Sequence, residues 1–313
     1  MKRVLIVGGG MMGSGIAAVA AHAGNRVAIV EPFAPAREGV MSRIHEVTDE
    51  LLANEMIGEG QTAGLDDRIE VLEDLSQVDQ DVQLIIEAIT ENLALKQEMF
   101  AKLDAMFPVS VPIASNTSGL RITDISKDVR HKERTITTHF WFPAHLVPLV
   151  EVVMSVWTDE AIANEVYAEL KIWGKAPVLV RQDLPGQLAN RILQAVIREA
   201  SSIVELGIAS PEDVDTAIKM GMGLRFPVWG PLEHVDAVGV DLCTSVQDTV
   251  LPGICKDTKA ANIFREKLAA GDLGYKSGKG FYDWSKKDMK ALERLRNAFI
   301  MQSVKFIRSY DDK

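Results

Sequence analysis

The stretch Val4-Leu5-Ile6-Val7-Gly8-Gly9-Gly10-Met11-Met12-Gly13 decides the fold. An apolar run of strand length meets a glycine turn, and the small-residue run Ser14 to Ala21 then reads as a helix. A second apolar run, Arg26 to Val30, closes on Glu31. Strand, G-x-G-x-x-G turn, helix and second strand form the arrangement that holds a dinucleotide. Gly8 permits the tight turn, Gly10 lets the backbone approach a pyrophosphate, and Gly13 lets the helix lie close to the strand. The helix N-terminus offers unpaired N–H groups and partial positive charge to the phosphates. Glu31 ends the second strand, where a carboxylate accepts from a ribose 2′-hydroxyl and repels a 2′-phosphate. The expected cofactor is therefore NAD rather than NADP.

Composition narrows the class. The chain has 313 residues, 47% of them apolar and 25% charged, which suits one large globular domain or two smaller ones. A net charge of −10 leaves no basic face for nucleic acid. No uncharged stretch reaches transmembrane length, and the apolar run after Met1-Lys2-Arg3 is too short for a signal peptide. Two cysteines, Cys243 and Cys255, are too few for a disulfide framework or a cysteine metal site. A cytoplasmic location, no metal, no membrane and a small-molecule substrate are the expectations.

Beyond Glu31 the pattern alternates. Residues 33–56 read as one long helix, 69–72 as a short strand, and 82–89 as an apolar strand buried on both faces. Residues 92–107 read as a helix stopped by Pro108, followed by strands at 111–114, 134–139 and 148–154. A helix at 159–173 and a strand at 176–180 complete the series. This predicts an α/β domain, Rossmann-type, with a doubly wound, mostly parallel sheet. After Asp183-Leu184-Pro185-Gly186 only helices and turns are legible, including a helix from Gln187 to Leu206 and one capped by Ser210-Pro211. The expected domains are residues 1–183, binding the cofactor, and an all-helical C-terminal domain, 184–313.

Four residues carry candidate chemistry outside the glycine loop: Ser118, His139, Glu151 and Asn190. Ser118 follows a strand end, where open α/β sheets place ligands. His139 ends the next strand, and Glu151 lies twelve residues on, inside Leu149-Val150-Glu151-Val152-Val153. A carboxylate in such a run is costly unless paired, and a histidine is its natural partner. The pair suits alcohol oxidation: imidazole takes the hydroxyl proton while carboxylate fixes the tautomer. Spacing alone equally allows a core histidine and a glutamate on an exposed strand face.

The chain from Val4 to about Trp284 resembles the 3-hydroxyacyl-CoA dehydrogenase family. The matching pieces are Gly8–Gly13, Ile86-Glu87-Ala88-Ile89-Thr90-Glu91-Asn92, Ala114-Ser115-Asn116-Thr117-Ser118, His139-Phe140 with Leu149-Val150-Glu151-Val152, Gly186 with Asn190-Arg191, and Lys276-Ser277-Gly278-Lys279-Gly280-Phe281-Tyr282. The resemblance implies a two-domain NAD enzyme, usually a homodimer. By motif match, His139 would be the base and Glu151 its partner, while Ser118 and Asn190 would hold the reacting oxygen. Met11, Met12, Asn116, Glu91 and Lys96 would join the cofactor site, and Lys276 would approach it. One branch of the family serves as a lens crystallin, so an NAD-binding protein without catalysis is the alternative from another class.

Three departures bear on the substrate. The family pattern His-Phe-Phe-Asn-Pro is here His139-Phe140-Trp141-Phe142-Pro143, so a polar contact is lost at Phe142; His145 is a candidate to offset it, or a surface histidine. Members that bind coenzyme A carry lysines after the second strand. Residues 44–67 hold no Lys or Arg and seven acids, which opposes nucleotide phosphates unless these lie near Arg37 or Arg43. Finally, Gly221-Met222-Gly223-Leu224-Arg225-Phe226 resembles the branch acting on small free hydroxy acids, including L-gulonate and carnitine dehydrogenases and a pyridine-carboxylate dehydrogenase. There Arg225 would clamp a substrate carboxylate, or else be a loop arginine. The expected reaction is NAD-linked oxidation of an L-3-hydroxy acid, with a short-chain 3-hydroxyacyl-CoA as alternative.

Overall fold

A computed structural model of the protein describes residues 2–311. The glycine-loop unit forms as read: β1 (Arg3–Val7), α1 (Met11–His22) and β2 (Arg26–Val30). The expected long helix after Glu31 is broken at Gly39 into α2 (Ala34–Glu38) and α3 (Val40–Ala53). A Cβ at residue 39 would collide with the Arg43 guanidinium, which folds back over this joint. There follow β3 (Ile69–Leu72), β4 (Leu84–Glu87), α4 (Leu93–Met106), β5 (Ile113–Ser115), β6 (Thr135–Phe140), β7 (Leu149–Met154), α5 (Glu160–Ile172) and β8 (Ala176–Val180). Asn92 caps α4 through the Leu95 N–H, and Asp159 caps α5 through the Ala161 N–H.

The strands form one sheet in the order β3-β2-β1-β4-β5-β6-β7-β8. Pairings are parallel except β6 with β7, which is antiparallel. Alternation along β1 sends Val4 and Ile6 to one core with α1, α3 and α5, and Leu5 and Val7 to a second core with α4. Both faces are covered, which is why the central strands read as unbroken apolar runs. The same alternation sends Phe140, Val150 and Val152 into the first core and leaves His139 and Glu151 on the opposite face.

The chain divides into two compact units, Met1–Arg191 and Ile192–Lys313. The segment before α6 (Ala189–Glu205) is bound to the first unit: Asp183 accepts from Arg121 and the Thr123 N–H, and Gln187 Nε2 donates to Thr117 O. The second unit is helical, with α7 (Pro211–Met220), α8 (Pro231–Val238), α9 (Val240–Val250), α10 (Asn262–Ala269) and α11 (Met289–Asp311). Ser210 caps α7 and Pro211 occupies its first turn. Among the described residues this unit has only isolated β-bridges around Lys279, and no helix is long and apolar enough to cross a membrane. The architecture is a doubly wound Rossmann domain followed by a helical C-terminal domain.

Candidate active site

The antiparallel β6–β7 pairing sets His139 directly opposite Glu151. Twelve residues of sequence thus become one cross-strand pair. His139 Nδ1 lies 2.8 Å from Glu151 Oε2, with the carboxylate fully buried. Oε1 accepts the Leu188 and Ala189 N–H groups, each at 2.9 Å, at the start of α6. A helix start has unpaired donors and positive potential, so it suits a carboxylate. Trp141 Nε1–H adds a fourth bond, 3.1 Å to Oε2. Burial by itself would raise the Glu151 pKa, but the bonds from His139, the Ala189 N–H, Trp141 and the Leu188 N–H outweigh it and bring it from 4.5 to about 2. The ionised carboxylate can only accept. The shared proton therefore resides on Nδ1, and Nε2 presents its lone pair as a base.

The other expected oxygen-holding residues lie on segments tied to this pair. Asn190 follows the two N–H groups that grip Glu151. Ser118 is exposed, in the turn after β5, and its N–H donates to Glu91 Oε1 at 3.2 Å. Asn116 Oδ1 accepts the Phe140 N–H at 2.8 Å, locking the end of β5 to the residue after His139. Glu91 also accepts from Thr117 Oγ1 at 2.6 Å and from the Gly119 N–H. Burial opposes its charge, but these bonds and Lys96 hold its pKa below the usual value. Lys96 is fully enclosed, 2.7 Å from Glu87 Oε1 and 3.5 Å from Glu91 Oε2.

The glycine loop has the shape a dinucleotide needs. A Cβ on Gly13 would land on the Gly8 carbonyl oxygen, while Gly8 has φ +107°. A Cβ on Gly10, in contrast, would meet no atom within 4 Å, so that position opens onto free space beside the start of α1. No side chain caps α1, which leaves its first N–H groups, from Met11 onward, to a phosphate. Glu31 Oε2 accepts the Gly9 N–H at 2.8 Å and Oε1 the Phe33 N–H at 3.0 Å, fixing the carboxylate at the end of β2. These residues fit NAD.

Two expected site residues lie in the second unit. Lys276 is exposed on a single turn at Tyr275–Ser277. Arg225 is exposed, and its guanidinium bonds to none of the described residues. His145 is not directed at the dyad: its Nε2 lies 3.0 Å from Glu50 on α3. Phe142 is half exposed.

Sequence reasoning gave no role to Glu87 or Trp141 and weighed Arg43 only for nucleotide phosphates. Glu87, in Leu84-Ile85-Ile86-Glu87, bears the same signal as Glu151, a carboxylate ending an apolar strand; it binds Lys96 and, at 2.7 Å, Ser115 Oγ. Arg43 wraps the glycine loop, donating to Gly9 O at 2.7 Å and to Ser14 Oγ. Trp141 stood only as a neighbour of the changed position, and nothing in the sequence shows that its N–H reaches Glu151.

The chain is similar to known proteins over most of its length. Residues 3–184 match the family model for the 3-hydroxyacyl-CoA dehydrogenase NAD-binding domain, and residues 186–284 match that for its C-terminal domain. The chain is 36% identical to a probable 3-hydroxybutyryl-CoA dehydrogenase of Bacillus subtilis, covering 92% of this chain and 99% of the relative. It is 30% identical to 5-formyl-3-hydroxy-2-methylpyridine 4-carboxylate 5-dehydrogenase of Mesorhizobium japonicum, covering 95% of each. A crystal structure of such a pyridine-carboxylate dehydrogenase, an NAD+-dependent dismutase, superposes with TM-score 0.90 at 28% identity, covering 98% of this chain and 99% of the other. A (S)-3-hydroxybutyryl-CoA dehydrogenase from Ralstonia eutropha superposes with TM-score 0.76 at 34% identity, covering 91% of this chain and all of the other.

Proposed function

The chain belongs to the 3-hydroxyacyl-CoA dehydrogenase family of NAD-dependent oxidoreductases, and from that premise we propose that it oxidises the L-3-hydroxy group of a small free carboxylic acid, or reduces the matching 3-oxo group. The observation that carries the reaction is the buried His139–Glu151 pair, with Nδ1 held at 2.8 Å and Nε2 left as base. NAD, when bound along the glycine loop, supplies the hydride acceptor. His139 Nε2 takes the hydroxyl proton as the carbon–oxygen double bond forms, and returns it in the reverse direction. Glu151 stabilises the imidazolium so produced. Ser118 and Asn190 hold the reacting oxygen, and Lys96 steadies Glu91 from beneath the cofactor side.

Three features support a free acid over a thioester. Residues 44–67 carry seven acids and no Lys or Arg, so the surface beyond β2 repels nucleotide phosphates. Arg37 and Arg43 are engaged within the chain: Arg37 with Glu73 and two carbonyls, Arg43 with the glycine loop and Ala36 O. The high structural likeness to the pyridine-carboxylate enzyme points the same way. Arg225 is the cation offered to the carboxylate. The likeness in sequence to 3-hydroxybutyryl-CoA dehydrogenases favours the second reading, a short-chain 3-hydroxyacyl-CoA. We further propose a cytoplasmic homodimer built on the helical unit. There Leu242, Val246 and Val250 make an exposed apolar stripe along α9, each about half exposed.

NADH-linked turnover decides between substrates. Acetoacetyl-CoA is compared with a panel holding L-gulonate, L-carnitine and 3-hydroxybutyrate. The free-acid reading expects activity on an acid whose KM rises about tenfold or more in Arg225→Ala, as expected for a lost bidentate contact. Turnover of acetoacetyl-CoA alone, unchanged in Arg225→Ala, overturns it.

A further inference from the structure

We propose that Trp141 is a positioning residue for the proton-transfer step: its indole N–H holds the same Glu151 oxygen that bonds His139, and so sets how strongly the carboxylate supports the imidazolium over the neutral imidazole. The proposal rests on the reading of His139 as the base.

The geometry is specific to one oxygen. Oε1 is taken by the two backbone donors from the start of α6, so that side of the carboxylate is fixed by the fold. Oε2 is divided between His139 Nδ1 at 2.8 Å and Trp141 Nε1 at 3.1 Å. Each donor polarises the oxygen and reduces what it gives the other. No other ionisable side chain bonds to Glu151 among the described residues: β6 contributes His139, the turn after it Trp141, and α6 only backbone. With the backbone donors invariant to side-chain change, the indole is the one adjustable contact on the oxygen that matters for the base.

The consequence follows from charge. The imidazolium gains more from an electron-rich carboxylate than the imidazole does. An indole N–H on that carboxylate therefore favours the neutral ring, which is the form that accepts a hydroxyl proton. Trp141 biases the pair toward oxidation at a given pH. Removing the N–H biases it toward the protonated form, which is the acid needed for reduction. The Trp141 ring also lies 5.8 Å from the His139 ring, tilted by 48°. A phenylalanine, the residue usual here in the family pattern, keeps an aromatic ring and lacks the N–H. Trp141→Phe thus isolates the hydrogen bond.

The test is the titration of His139 in the full-length protein with NAD. It is followed by NMR on histidine labelled with carbon-13 at Cε1, and the six histidine signals are resolved by His139→Gln. In Trp141→Phe the His139 midpoint is expected to move up by about 0.5–1 pH unit, a threefold to tenfold change in the protonation equilibrium. The other histidines stay in place. On whichever substrate the panel identifies, the acid limb of kcat/KM for oxidation moves up by the same amount, while the alkaline plateau and the KM for NAD hold. An unmoved His139 midpoint in a folded Trp141→Phe protein overturns the proposal, as does a downward shift. If that variant does not fold, 5-fluorotryptophan incorporation, which makes the indole N–H a stronger donor, moves the midpoint down if the proposal holds and leaves it in place if it fails. The failure of the underlying reading looks different: His139→Gln would then keep full activity, whatever Trp141→Phe does.

Discussion

Glu151→Gln removes one charge and almost no volume, and the surroundings of Glu151 determine what that costs. The wild-type carboxylate accepts four hydrogen bonds, from His139, Trp141 and the Leu188 and Ala189 N–H groups. Together they overcome burial and bring its pKa from 4.5 to about 2. By linkage such a depression amounts to about 3 kcal/mol of folding stability. The folded pKa lies below the unfolded one, so this stabilisation is complete above pH 4.5 and drains away as the pH falls toward 2. A glutamine keeps one acceptor. If that oxygen stays on the Leu188 and Ala189 N–H groups, the amide NH2 faces two donors. His139 escapes by moving its proton to Nε2, which abolishes the base; Trp141 has no second tautomer and is left unpaired.

The expected phenotype therefore has two parts. Urea unfolding at pH 7 should show Glu151→Gln less stable by about 3 kcal/mol, with the gap narrowing at pH 3.5. Turnover of the preferred substrate should fall ~10²–10⁴-fold, the range of a lost general base, while NADH fluorescence shows cofactor affinity unchanged. A stability gap of the same size at pH 3.5 and pH 7 would refute the charge argument. A glutamine variant with wild-type kcat would refute the tautomer argument.

His139→Gln should lose turnover by a similar factor and still bind NADH; unchanged oxidation would overturn the assignment of His139 as the base. Gly13→Ala sets a methyl group against the Gly8 carbonyl, a backbone atom that cannot swing away. It should cost ~1–3 kcal/mol in thermal unfolding and weaken NADH binding at least tenfold, as measured by fluorescence titration. Lys96→Met strands the Glu87 carboxylate, buried with no solvent exposure, and should destabilise by ~3–5 kcal/mol in urea. The double variant with Glu87→Gln should recover part of that loss.

What was legible in the sequence was what local rules control. Glycine spacing, apolar runs and capping residues such as Asn92, Asp159 and Ser210 act within a few residues, so β1-α1-β2 and the helix starts could be read directly. The His139–Glu151 pair was legible for a different reason. A carboxylate within Leu149–Val153 is too costly to stand alone and a histidine is its natural partner, while spacing alone left a core histidine equally open and the family resemblance singled out the pair. The break at Gly39 was not legible, because the contact seen there, the Arg43 guanidinium over Gly39, comes from a side chain on the next helix. Glu87 with Lys96 was missed although it carried the Glu151 signal. Its partner comes from α4 rather than from a neighbouring strand, so no pairing rule led to it. Trp141 and the backbone donors of Leu188 and Ala189 depend on tertiary approach alone.

Those donors also tie the segment that carries Asn190 to the Glu151 carboxylate. Residues 183–189 are tied to three places on the sheet's carboxyl-terminal side: Asp183 to Arg121 and Thr123, Gln187 to Thr117, and the next two N–H groups to Glu151. Gln187 is buried at φ +52°, a conformation costly for a side chain other than glycine, and its Nε2–Thr117 O bond at 2.9 Å helps hold it there. The backbone thus turns sharply to aim two N–H groups at a single carboxylate oxygen, one residue before Asn190. Any movement of Glu151 shifts the imidazole through Oε2 and the start of α6 through Oε1. His139 and the segment carrying Asn190 are set by the two oxygens of one carboxylate. Changes at Glu151 and Asn190 should then couple rather than add, whereas the glycine loop, tied to Arg43 and Glu31, should respond independently of both.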